Sequence, residues 1–274
     1  MANVLVTGAS TGIGRAIALL LCEHGMTVFA GVRKKADGES LIEAAAGGLR
    51  PILLDVTSSS DITAAMAQIA EDGGLAGLVN NAGLYMGGPL ELMTDDEIRS
   101  TYEVNVLGLL SVTRACIPML RESAGRIVNI SSISGLVSLP GVSVYAGSKH
   151  AVEAITDALR VELSPFGIEV IAVEPGSIQT EIWRKGAERD KDHRSGNADV
   201  RRLYAPLVTL LEKLNQNPRG IPPERVAEVV RDALTANEPK NRYIVGVDAK
   251  SLSLLRWLPD SLRDGAIKRK IWRR

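Results

Sequence analysis

A chain of 274 residues can bury a full core, and one large α/β domain suits that length better than two small ones. Its 32 Lys and Arg balance 32 Asp and Glu, so charge does not point to nucleic acid or to acidic partners. Cys22 and Cys116 lack metal-ligand spacing and are expected as buried thiols in a reducing cytoplasm, while His24, His150 and His193 form no ligand set or triad.

The first expected strand, Asn3 to Thr7, starts almost at the first residue, so no targeting segment is expected. No apolar run approaches the ~18 residues that suggest a spanning helix. Gly8-Ala-Ser10-Thr11-Gly12-Ile13-Gly14 follows the strand, and Arg15 to His24 reads as a buried helix ending at Gly25. Strand, glycine turn and helix together suit a pyrophosphate: the glycines admit close backbone approach, and the helix N-terminus offers free N–H groups. The spacing is Gly-x-x-x-Gly-x-Gly, which by itself could equally serve a tight turn.

Thr27 to Val32 is the second strand. An acid about twenty residues past the glycines would accept from a ribose 2′-hydroxyl. Arg33 and Lys34 stand at that place instead, and two cations suit a 2′-phosphate, hence NADP before NAD. The third strand is expected over Pro51–Val56, with Asp55 able to accept from an adenine amino group and Val56 beside it. Ser58 to Glu71 is an amphipathic helix, and Leu75 to Val79 the fourth strand. Asn80-Asn81-Ala82-Gly83 follows at the strand's carboxyl end, where open α/β sheets bind ligands.

Asp95 to Arg121 is expected as one long helix with Asn105 among apolar residues. That Asn is either a satisfied core amide or a group that kinks the helix and holds water near Lys149. Gly125 to Ile130, the fifth strand, delivers Ser131 and Ser132 to the carboxyl edge. Val144 to Ser164 is a helix, and Ile168 to Val173 the sixth strand, which leads into Glu174-Pro175-Gly176-Ser-Ile178-Gln-Thr180. Residues 179–222 break the alternation and read as a substrate lid. Pro222 to Ala236 is a helix and Tyr243 to Val247 the last strand. The expected organisation is a dinucleotide-binding domain over 1–250 and a tail over 251–274. That tail carries seven Lys or Arg against two acids. It reads as a subunit contact or pocket cover before a membrane-surface element, and deleting Lys268 to Arg274 is expected to leave activity intact.

Tyr145 and Lys149 are four residues apart, on one face of a helix. An ammonium beside a phenol favours the phenolate, which would fit Tyr145 for proton transfer near neutral pH. Ser132 could hold a substrate oxygen against the Tyr145 hydroxyl. A lone Tyr-x-x-x-Lys is equally an ordinary surface pair, and it is the glycine motif that gives this one a cofactor to act on.

Along nearly its whole length the chain resembles the short-chain dehydrogenase/reductase family. The resemblance rests on Thr7-Gly8-x-x-x-Gly12-x-Gly14, Asp55, Asn80-Asn81-Ala82-Gly83, Asn105, Ser132, Tyr145-x-x-x-Lys149 and Pro175-Gly176-x-Ile178-x-Thr180. The wording around Glu174-Pro-Gly and the long tail look most like its steroid and retinol dehydrogenase-like branch. The resemblance implies a single doubly wound parallel sheet of about seven strands with helices on both faces. It implies Tyr145 as proton donor and acceptor, Lys149 on the nicotinamide ribose, Ser132 orienting the substrate and Asn105 holding a relay water. Ile178 and Thr180 would hold the carboxamide, and Gly8, Gly12, Gly14, Asn81 and Asp55 the pyrophosphate and adenosine side. A homodimer or homotetramer is implied as well.

The function expected is NADP-dependent hydride transfer between nicotinamide and a hydrophobic ketone or secondary alcohol. Leu84, Tyr85, Val137, Leu139, Pro140, Val142, Ile182 and Trp183 are the expected pocket walls. An NAD-dependent enzyme of the same type and a non-catalytic NADP sensor are the alternatives. The complete Ser132, Tyr145, Lys149 and Asn105 set favours an enzyme.

Overall fold

The structure, a computed structural model, describes residues 2–179, 198–215 and 220–272. Seven strands form one parallel sheet: β1 (Asn3–Val6), β2 (Thr27–Val32), β3 (Leu49–Leu53), β4 (Gly77–Asn80), β5 (Arg126–Ile130), β6 (Glu169–Pro175) and β7 (Arg242–Val245). Their order is β3-β2-β1-β4-β5-β6-β7, every neighbouring pair parallel. The doubly wound sheet expected from the sequence is therefore the observed fold. Strand order reverses between β1 and β4, where Val6 pairs with Val79. A crevice opens at the carboxyl ends of strands at such a reversal.

Successive strand residues feed two separate cores, because side chains alternate across a strand. Val4, Val6, Val28, Ala30, Val79, Val128 and Val173 pack on one face against the helices α1 (Gly12–Glu23) and Pro223–Thr235. Leu5, Phe29, Leu78, Ile127 and Val170 pack on the other against α3 (Ser59–Glu71) and α5 (Leu109–Ser123). Leu5, Phe29 and Leu78 are fully buried, and each such side chain stabilises the fold by roughly 1.5–3 kcal/mol. Cys22 and Cys116 are both free and buried in these cores.

Two polar residues in the sheet are fully served. Asn80 Nδ2 donates to Asn129 Oδ1 at 2.8 Å and to Thr113 Oγ1 at 2.9 Å, and Asn129 Nδ2 donates to Thr156 Oγ1 at 2.9 Å. This ladder ties β4 and β5 to two helices packed on one face of the sheet.

Two elements differ from expectation. Strand β3 stops at Leu53, because Asp55 Oδ1 accepts from the Thr57 amide at 2.9 Å and its hydroxyl at 2.7 Å, which turns the chain. The helix expected over Asp95–Arg121 is not uniform. α4 (Asp95–Tyr102), capped by a Thr94/Glu97 box, passes through a π-helical turn at Glu103–Gly108 before α5. Asp95–Ser123 is long enough, and in its most apolar 18-residue stretch apolar enough at mean hydropathy 1.3, to cross a membrane by length and composition alone, although no unbroken apolar run marks it. Its inward residues Val112, Cys116 and Leu120 are core.

Candidate active site

The β1–α1 turn is built for close backbone approach. Gly8 and Gly12 have φ of 65° and 57°, in the left-handed region that favours glycine. A Cβ on Gly14 would lie 2.3 Å from Gly8 O and 2.3 Å from Asn81 Nδ2. Asn81 Nδ2 donates to the carbonyls of Thr7 and Gly8 at 2.9 and 3.0 Å, so this side chain holds the glycine turn in shape. Thr7 Oγ1 completes the clamp by accepting from the amides of Asn81 and Ala82, both at 3.0 Å. The sequence placed Asn81 beside the adenosine; the structure adds that it braces the turn from β4.

A cleft of about 260 Å³ runs along the carboxyl edge of the sheet. Gly8, Ser10, Thr11, Gly12, Ile13 and Gly14 form one side of it, and Arg33, Asp55, Val56, Asn81, Ala82 and Gly83 continue that wall. Arg33 is exposed at the end of β2 and faces the cleft. Lys34 does not line it: it is the N-cap of α2 (Lys35–Ala44), so the chain has already turned away there. Pro175, Gly176 and Ile178 close the far end. Their loop is held by a residue the sequence did not single out, Asp248, whose Oδ2 accepts from the Ser177 amide at 2.8 Å. Thr180 lies outside the described residues, as do the expected walls Ile182 and Trp183.

At that same end Tyr145 and Lys149 project from α6 (Ser143–Glu162), both buried and both lining the cleft. Ser132 follows β5. Its Oγ accepts from the Ser134 amide at 3.1 Å, and its hydroxyl hydrogen-bonds the Tyr145 side chain. Ser131 Oγ has no hydrogen-bond partner, so Ser132, not Ser131, is the serine tied to Tyr145. The Tyr145 ring meets Tyr85 edge-on with centroids 5.0 Å apart.

The electrostatics correct one expectation. Burial pushes the Tyr145 hydroxyl up to about 12, and the Ser132 hydrogen bond only partly opposes this. Lys149 does not outweigh that burial. The ammonium lies 5.9 Å from the Tyr145 ring centroid and donates to Ile130 O at 2.8 Å. Burial also brings Lys149 down to about 8, with the Glu153 carboxylate opposing. The four-residue spacing sets the faces of the two side chains, but desolvation, which a sequence does not display, dominates their protonation.

Asn105 is the one catalytic candidate that does not line the cleft. It sits in the π-helical turn, buried, with Oδ1 accepting from the Leu84 amide at 2.7 Å. Its Nδ2 donates to Leu84 O at 2.9 Å and Ser148 Oγ at 3.0 Å. The amide expected to hold water near Lys149 is thus committed to the loop after β4 and, through Ser148, to Tyr145 O at 2.7 Å.

The short chain dehydrogenase family model matches residues 2–191, more than half of the chain. The chain belongs to the short-chain dehydrogenase family. It is 35% identical over 273 residues, covering 96% of this chain and 95% of the relative, to an NADPH-dependent 3-dehydrocapnine reductase of Ornithobacterium rhinotracheale. It is 35% identical to retinol dehydrogenase 16 of Mus musculus, over 96% of this chain and 87% of that one. A solved short chain dehydrogenase of Burkholderia cenocepacia in complex with NADP superposes with a TM-score of 0.76 at 28% identity, covering 97% of each chain. The protein is an oxidoreductase of the steroid and retinol dehydrogenase-like branch.

In this short-chain dehydrogenase an apolar cluster adjoins Tyr145. Tyr85, Val142, Tyr145 and Ala146 pack with Leu207 and Leu211 of the helix Ala205–Asn215 and with Ile271 of the helix Asp260–Ile271. Leu139 and Ile267 pack against it. Of the walls expected from sequence, Leu84 and Tyr85 line the cleft, and Leu139 and Val142 join the cluster. Val137 is buried outside this cluster, and Pro140 is exposed. Ile267 and Ile271 come from the tail, where neither residue is marked by any local motif.

Proposed function

We propose that this chain is an NADP-dependent reductase or dehydrogenase that moves hydride between nicotinamide C4 and the carbonyl or secondary alcohol carbon of a hydrophobic small molecule. One observation carries this reading: the Ser132 and Tyr145 hydroxyls, joined to each other, lie where the glycine-lined cleft meets an apolar cluster. The cleft fits a dinucleotide, since its glycine positions leave no room for a Cβ and Arg33 offers a cation where a 2′-phosphate would lie. A nicotinamide cofactor bound there supplies or accepts the hydride.

The protein's part follows from the side chains. Ser132 and Tyr145 hydrogen-bond the substrate oxygen and fix its carbonyl. In reduction Tyr145 gives its phenolic proton to that oxygen. The hydroxyl is held in its protonated form, up at about 12, so the donor state is full at neutral pH. Oxidation needs the phenolate and gains as pH rises. The buried ammonium of Lys149 stabilises the phenolate that a proton transfer leaves. Asn105 positions the loop at Leu84 and, through Ser148, the backbone of Tyr145.

Arg33→Ala tests the cofactor choice. NADP binding is expected to weaken roughly ten- to a hundredfold, the worth of a charged hydrogen bond, with NAD binding little changed. Fluorescence titration with each reduced cofactor measures it, and equal losses would move the preference away from Arg33.

The tail reads as a pocket cover, because Ile271 is buried in the cluster that holds Tyr145. Deleting Lys268 to Arg274 is therefore expected to raise KM for a hydrophobic ketone and to lower Tm, the reverse of the expectation from sequence. Steady-state assay of the truncated protein decides it, and unchanged KM and Tm would return the tail to the solvent. Exposed Tyr102, Leu107 and Leu110 around Asn105 support a homodimer through that helix. Free buried thiols suit a cytoplasmic location.

A further inference from the structure

Behind Lys149 lies a buried charge cluster that no step above uses. Glu153 follows Lys149 by one turn of α6, and Glu174 is on β6. Both are buried, Glu174 completely. Arg242, at the start of β7, reaches both with one nitrogen: Nη1 contacts Glu153 Oε2 and donates to Glu174 Oε1 at 2.8 Å. Its Nη2 contacts Asp157, which is half-exposed and also paired with Arg160. Arg256 adds a distant positive influence on Glu174. These groups, with Lys149, are the charges that face the two glutamates.

The far oxygens are informative. Among the described residues three buried side-chain oxygens have no hydrogen-bond partner: Glu153 Oε1, Glu174 Oε2 and Ser131 Oγ. They are close together in the fold. A Cβ on Gly135 would lie 2.8 Å from Ser131 Oγ and 3.0 Å from Glu153 Cγ, and Arg242 joins Glu153 to Glu174. Two buried carboxylates on one guanidinium nitrogen repel each other, and a buried acceptor left bare is costly. One proton on either carboxyl removes a negative charge and with it that repulsion.

We propose that Glu153 and Glu174 hold one proton between them at neutral pH, seated on Glu174, and that the charge left on Glu153 is a positioning element that keeps Lys149 an ammonium. Glu174 is the seat because burial and the Glu153 charge both push its carboxyl up, against Arg242. Glu153 bears on Lys149 directly, opposing the burial that brings the ammonium down to about 8. The sign follows: without the Glu153 charge, Lys149 loses its proton at lower pH. The inference rests on the reading of Lys149 as the partner of Tyr145. It gives Glu174, noticed in the sequence only as part of a Val-Glu-Pro-Gly wording, a physical task.

The test uses the full-length protein with NADPH, in two measurements. Infrared spectra of the wild type at neutral pH are expected to contain a protonated-carboxyl C=O stretch that Glu174→Gln removes. Profiles of kcat against pH for ketone reduction are expected to keep their alkaline limb in Glu174→Gln, which mimics the protonated acid. In Glu153→Gln the limb is expected about one pH unit lower, the low end of what a neighbouring opposite charge does. Glu153→Asp, which keeps the charge, should restore most of the shift, whereas a purely structural role would not follow charge. Absence of the band in the wild type would overturn the shared proton whether or not a variant folds, and its persistence in folded Glu174→Gln would overturn it equally. An unmoved limb in Glu153→Gln, or an equal shift in Glu174→Gln, would overturn the link to Lys149. Full turnover in Tyr145→Phe would instead remove the acid–base reading and leave the infrared result standing.

Discussion

Tyr145→Phe is expected to lower kcat by roughly 10²–10⁴-fold, the usual contribution of a positioned acid or base, while NADPH still binds. The expectation follows from what the substitution removes. Only the hydroxyl goes; the ring stays edge-on to Tyr85 and inside the apolar cluster with Val142 and Leu211. Ser132 loses the partner of its proton but keeps the bond from the Ser134 amide, so the turn after β5 holds. One net hydrogen bond is worth about 1 kcal/mol, which in a chain of this size is a fall in Tm of about 2–4 °C. Stopped-flow hydride transfer and NADPH fluorescence separate the two effects. A variant that turns over within tenfold of the wild type would show that the proton comes from another group.

The second large effect is expected at Gly14. An added Cβ would enter between Gly8 O and Asn81 Nδ2, at 2.3 Å from each, and these two atoms are hydrogen-bonded to each other at 3.0 Å. Gly14→Ala must push them apart, and both are fixed: the first is backbone, and the second also holds Thr7 O. Overpacking of this kind costs about 1–3 kcal/mol, and loss of the bracing bonds adds about 1 kcal/mol each. NADPH affinity is expected to fall at least roughly tenfold, with a Tm lower by several degrees. Gly265 serves as the control. It lies in the tail helix with no atom within 4 Å of the added carbon and without a positive φ, so Ala there should raise stability by about 0.4–1 kcal/mol. Equal outcomes at the two sites would mean that the glycine turn has more room than its geometry implies.

Both predictions rest on residues whose types are legible in the chain, and their different origins show what a sequence carries. Gly8 and Gly12 are local requirements: the positive φ that each turn residue must adopt is written in the residue itself. The same holds for the alternation that divides Val4 and Val6 from Leu5, and for Tyr145 four residues before Lys149. Distances in three dimensions are another matter. Asn105 is near Leu84 only because the π-helical turn brings its side chain back to the loop after β4. Lys34 differs from Arg33 by a single position, yet the helix beginning at Lys35 takes it out of the cleft.

By itself the sequence determined the parallel α/β sheet, the glycine turn after its first strand and the types of residue brought to its carboxyl edge. These depend on period, spacing and backbone preference, all of which are properties of short stretches. Only the tertiary structure decided the burial of Tyr145 and Lys149, the packing of the tail beside Tyr145 and the cluster of Glu153, Glu174 and Arg242. Burial and long-range packing govern those: Tyr145 is made a weaker acid by the apolar residues that enclose it, and Ile271 reaches it from more than a hundred residues away.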